Sequence, residues 1–144
     1  NKKRINDFLK NHKQHGLKLE TAELPNVLIP ERIQEAIGVS FNPLIYDSKQ
    51  IKMFYTSLAS CLPRGIVNRL FAREIRAGVK KYGKQFAIGI GCLAGGIEGN
   101  EKILTPEQLS EDIKKAKERG ASEIYFFRLG GLNDDFVSTL RDNL

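Results

Sequence analysis

Two apolar runs, Phe86–Cys92 and Ile124–Leu129, each lead into a pair of glycines, Gly95-Gly96 and Gly130-Gly131. Between them stands a clear helix start. Thr105 is the N-cap, Pro106 the first helical position, and Gln108 completes a capping box; Gly120 ends the helix. A strand, a helix and a second strand in that order are spaced for a parallel crossover. The same alternation continues toward the N-terminus. Ile5, Phe8, Leu9 and His12 repeat at helical spacing up to Gly16, and Leu17-Lys18-Leu19-Glu20-Thr21 alternates as a strand. Pro30 opens a short helix carrying Ile33, Ala36 and Ile37 that stops at Gly38. Val39–Tyr46 reads as the second strand. Asp47 or Ser48 would cap a helix with the stripe Ile51, Phe54, Tyr55, Leu58, Cys61 and Leu62, broken by Pro63 and Gly65. A further helix runs through Val67, Leu70, Phe71, Ile75 and Val79 to Gly83, and Asn133-Asp134-Asp135 caps the last one. The expectation is an α/β fold of parallel β/α units, with strands near 17–21, 39–45, 86–92 and 124–129.

The 144 residues suit one domain, 1–144. No apolar run reaches the length of a membrane span. The basic start Asn1-Lys2-Lys3-Arg4 precedes a charged helix, not the apolar stretch of a signal peptide, so a cytoplasmic location is expected. The first residue is not Met, which suggests a fragment of a longer protein. Cys61 and Cys92 form neither a disulfide framework nor a metal-ligand spacing. His12 and His15 share one helix side but lack a third ligand, so they read as a solvated helix end. No metal and no cofactor is expected.

The stretch Lys84–Leu132 combines a strand with a glycine-rich end, a loop with Glu98 and Glu101, the helix Thr105-Pro106-Glu107-Gln108-Leu109, then Arg119-Gly120-Ala121, the strand Ile124–Arg128 and Gly130-Gly131. This order resembles the last two strands of (β/α)8 barrels of the glycoside-hydrolase type. The resemblance implies the C-terminal half of a TIM-type (β/α)8 barrel and a carbohydrate-active hydrolase acting on a small-molecule or saccharide substrate. Four strands do not close an eight-strand barrel. The chain would need the rest of the barrel or a second copy; the alternative is an open doubly wound sheet.

Both layouts place function at the C-terminal ends of the strands. Glu20 is then a candidate acid/base or nucleophile, with Glu23 as a loop companion, and Glu98 is a second carboxylate on the glycine-rich loop. Asn42 and Arg128 would orient substrate. Tyr46 would offer a stacking face, since the chain has no Trp. The competing readings are solvated loop acids, an Asx turn at Asn42 and a surface ion pair at Arg128. Cys92 reads as an inert thiol. In strand 86–92 the bulky Phe86, Ile88 and Ile90 should face helices. Ala87, Gly89 and Gly91 then leave room on the other side, for Ile124, Phe126 and Arg128 to fill.

Two other ligand classes stay open. A phosphate-ligand enzyme would use backbone N–H groups at Gly95-Gly96 or Gly130-Gly131, although Glu107, Asp134 and Asp135 already occupy the adjoining helix starts. A basic nucleic-acid-binding module would use Arg69, Arg73, Arg76 and Lys80, spaced by four, three and four on one helix side, with Arg64, Lys81 and Lys84 as flanks. The plainer reading of that stripe is a solvated outer face opposite Val67, Leu70 and Phe71.

Overall fold

A computed structural model describes residues 2–59, 61–91, 102–127 and 129–143. The chain alternates helices and strands: α1 (Lys2–Gln14), β1 (Glu20–Glu23), α2 (Glu31–Ile37), α3 (Pro43–Tyr46), β2 (Lys49–Met53), α4 (Arg64–Tyr82), β3 (Phe86–Gly91), α5 (Pro106–Glu118), β4 (Ile124–Phe127) and α6 (Asp134–Asn143). The four strands form one sheet in the order β1-β2-β3-β4, every pair parallel. The order of the described strands contains no reversal, the mark of a switch point in a doubly wound fold.

Phe86, Ile88 and Ile90 face α4 and α5, as their bulk suggested. They pack with Val67, Phe71 and Ile75 of α4 and with Leu109, Ile113 and Ala116 of α5. Helix α5 begins with the expected capping box: Gln108 N–H donates to Thr105 Oγ1 at 3.3 Å and Thr105 N–H to Gln108 Oε1 at 3.1 Å.

The opposite sheet face carries Ala22, Ile51, Met53, Ala87, Gly89 and Gly91, with Tyr125 and Phe127 from β4. Register decides this last point. Ile88 pairs with Ile124 and Ile90 with Phe126, so Ile124 and Phe126 point to the helices. They do not fill the glycine face, contrary to the expectation. That space belongs to Met53 and to Tyr55, whose ring stacks on Phe127 at 5.6 Å and 13°. A Cβ added at Gly91 would stand 2.7 Å from the Tyr55 ring, which is why the position holds glycine.

This face is concave. Tyr125 on β4 donates its hydroxyl to Glu20 on β1 at 2.7 Å. In a flat sheet those strands would lie about 14 Å apart, with their side chains parallel to each other and unable to meet. The bond therefore requires the sheet to curl.

Two strands differ from the sequence reading. β1 is shifted toward the C-terminus, at Glu20–Glu23. The second strand is Lys49–Met53, not 39–45, and lies where a helix was expected. Residues 43–46 instead form α3, because Asn42 accepts Leu44 N–H and Pro43 occupies the first turn. The strand was hidden by Gln50 and Lys52, polar residues that point into the buried helix side.

Candidate functional site

Two polar centres lie at the C-terminal ends of the strands. The first is closed. Glu23 ends β1 beside Lys52 of β2, and both are withdrawn from solvent at 4% and 0% exposure. Five donors converge on the Glu23 carboxylate. Oε2 accepts Ser40 Oγ at 2.6 Å, Gln50 Nε2 at 2.9 Å and Lys52 Nζ at 2.9 Å. Oε1 accepts Thr21 Oγ1 at 2.9 Å and Phe41 N–H at 3.1 Å. A buried ion costs several kcal/mol unless its bonding groups are answered in this way. Nearby, Glu74 of α4 accepts Asn26 N–H at 2.9 Å and Val27 N–H at 3.2 Å. Burial pushes the Glu74 carboxyl up, and these N–H groups with Lys52 recover only part of that shift. The centre ties the β1–α2 loop to α4, and the Glu23 carboxylate itself is closed to a ligand.

The second centre is open. A cavity of about 400 Å³ is lined by Thr56, Ser57, Arg64, Lys102, Thr105 and Gln108, with Leu62, Val67 and Ile103 as its apolar part. It adjoins the start of α4, which has no side-chain cap and no acid in its first turn. Ile66 and Val67 N–H groups turn back to the Pro63 carbonyl at 2.8 and 3.2 Å. This leaves Arg64 and Gly65 N–H without a backbone acceptor among the described residues. Ser57 is only 7% exposed, yet its Oγ has no hydrogen-bond partner among the described residues. Such an orphan is uncommon and calls for a partner.

Arg64 is held from behind. Its Nη2 donates to Asp112 Oδ1 at 2.7 Å and to the Gln108 carbonyl at 3.4 Å, and its Nε to Glu111 Oε2 at 3.3 Å. Thr56 Oγ1 donates to Asp112 Oδ2 at 2.5 Å. Burial pushes the Asp112 carboxyl up against the pull of Thr56 and Arg64. A hydrogen bond from Lys115 holds Glu111 below its usual range. The arrangement fixes a guanidinium, two hydroxyls and a helix N-terminus around one space, with Lys102 on its wall. A larger cavity, about 510 Å³, lies between α5 and α6, away from the strand ends, and its charged lining is mostly acidic: Glu107, Glu111 and Asp142 against Lys114.

The residues singled out in the sequence do not assemble here. Glu20 opens β1 rather than ending it, so it sits at the N-terminal edge of the sheet. There Tyr125 bonds it and also Glu123 at 3.1 Å, while Lys49 pairs with Glu123. Asn42 spends its amide oxygen capping α3. Tyr46 is buried, with its hydroxyl donating to Asn6 Oδ1 at 3.0 Å, and presents no stacking face. The His12 side chain, Cys92, Gly95, Gly96, Glu98 and Arg128 lie outside the described residues. Sequence reasoning passed over Ser57 and read Arg64 only as a flank of the basic stripe. The available signal was a proline-led helix start with no Ser, Thr, Asp or Asn to cap it, read only as a break.

No family model, curated protein or solved structure matches the chain. The site's chemistry therefore has to be argued from its own groups.

Proposed function

We propose that the chain binds the phosphate group of a small molecule in the cavity at the start of α4, as part of a barrel of the (β/α)8 type. The observation that carries the reading is the buried Ser57 hydroxyl, which has no partner among the described residues and lies beside a helix start that no described side chain caps. Two N–H groups without a backbone acceptor among the described residues, at the positive end of a 19-residue helix, favour an anion. Arg64 is fixed in place by Asp112 and Glu111 with its Nη1 donors left over, and Lys102 adds a second cation on the cavity wall. A neutral saccharide would leave the Lys102 ammonium without a charged partner among the described residues. The carboxylate pair that glycoside cleavage requires is not assembled among the described residues.

The barrel part of the proposal is supported by three features: sequential strand order, a concave small-residue face, and two open sheet edges at β1 and β4. Helix α2 adds a fourth. Its Ile33 and Ile37 are 45% and 63% exposed while Gln34 is buried, so its apolar side faces outward, where the next helix of a ring would pack. The remaining strands would come from further β/α units or a second copy.

Calorimetric titration with inorganic phosphate tests the site. Binding should be saturable, and Lys102→Ala, an exposed position, should weaken it several-fold with the fold intact. Arg64→Lys keeps a charge near Asp112 but loses the Nη1 donors, and should weaken it about tenfold, the equivalent of about 1.4 kcal/mol. Equal affinity in all three proteins would contradict the assignment.

A further inference from the structure

The outer face of α4 holds a separate basic groove of about 420 Å³, lined by Arg69, Arg73, Arg76, Lys80 and Arg119 over a floor of Ala72 and Ala77. Arg119 is the C-cap of α5 and is 39 residues or more from the others in sequence; packing of Ile113 and Ala116 against the core brings it alongside. All five cations are exposed. None forms a salt bridge with a described carboxylate. The contrast on the same helix is informative. Arg64 and Lys81 are both paired, with Asp112 and Glu31, and both leave the stripe they seemed to flank. The cations of α4 with structural roles have partners, and those in the groove do not.

The groove contributes five positive charges to a chain whose formal net charge is +6. We infer that this groove binds the phosphodiester backbone of double-stranded nucleic acid, without reading its sequence. Arg69 to Lys80 spans about 16 Å along the helix, room for several phosphates. A protein partner would want an aromatic or large aliphatic anchor, and the groove floor offers only two alanines. A single strand would want aromatic rings for base stacking, and none lines the groove. With only cations available, the contacts position a backbone and carry no base readout.

The test is fluorescence anisotropy with a labelled duplex over a range of salt. The affinity should fall with a log–log slope between about −3 and −5, as four or five neutralised phosphates require. The triple variant Arg69→Ala, Arg73→Ala, Arg76→Ala should lose at least tenfold in affinity and flatten the slope by about three. The corresponding triple Lys variant should keep most of both. Alanine favours an exposed helix, and phosphate binding at the Ser57 cavity should be unchanged, which separates this groove from that site. A salt-independent interaction, an undiminished triple Ala variant, or tighter binding of polyglutamate than of duplex would overturn the inference.

Discussion

The two centres at the strand ends are built from the same kinds of group and differ in completeness. Around Glu23 and Lys52 five donors meet one carboxylate, and no solvent reaches it. Around Arg64 the guanidinium is answered from one side, and among the described residues a buried hydroxyl has no partner and a helix start has no side-chain cap. A closed centre holds elements together, because any loss leaves a charge stranded. An open centre keeps its bonding capacity for something that arrives. The difference separates residues that make the fold from residues that act.

That contrast breaks most visibly at Lys52. Lys52→Met strands the Glu23 carboxylate and should reduce unfolding stability by about 3–5 kcal/mol in a denaturant titration. Pairing it with Glu23→Leu should recover much of the loss, since an apolar pair replaces the charges. A Lys52→Met protein within about 1 kcal/mol of the parent would mean that the centre is not a structural staple.

Two serines sharpen the comparison. Ser40→Ala removes a donor from a buried carboxylate and should cost about 1–3 kcal/mol. Ser57→Ala removes a hydroxyl with no partner among the described residues, so stability should stay level or rise slightly, while phosphate affinity falls. Thermal melts of both variants check this. A larger loss at Ser57 than at Ser40 would reverse the roles assigned to the two centres.

The smallest effect is in pH dependence. Burial alone would raise Glu31, but bonds from Lys81 at 2.6 Å and Tyr82 at 2.5 Å overcome it and hold the carboxyl below its usual 4.5. Its contribution is complete above about pH 4.5 and is lost as pH falls through the lowered value. The same contact and burial push the Tyr82 hydroxyl up to about 12. Glu74 has the opposite sign. Its raised value means that the folded state holds the proton longer, so its contribution declines as pH rises through the window above 4.5. Relative to the parent, Glu31→Gln should be least damaging at acid pH and Glu74→Gln least damaging near neutrality. Parallel pH profiles for the two variants would contradict the opposed shifts.

Much of the fold was legible because local signals agreed with tertiary ones. The capping box at Thr105, the Asn133 cap accepting Phe136 N–H at 3.0 Å and the left-handed Gly38 all mark helix ends through backbone chemistry that acts over a few residues. The parallel order followed from strand–helix alternation. β2 was illegible because its polar side chains face inward, and only the register with Glu23 explains Gln50 and Lys52. The face taken by Ile124 and Phe126 was missed for the same reason: alternation says which residues share a face, and only pairing says which face that is. The site suffered most. A shift of β1 toward the C-terminus moved Glu20 to the wrong end of the sheet and put Glu23 in the buried position. Ser57 is marked by a missing partner, which no single sequence displays.

The most direct test follows backbone amide resonances during titration with inorganic phosphate. Saturable shifts should be concentrated at Arg64, Gly65 and Ser57, and should be lost in Ser57→Ala with the rest of the spectrum preserved. Shifts absent from the start of α4, or equal in the parent and in Ser57→Ala, would contradict the phosphate site.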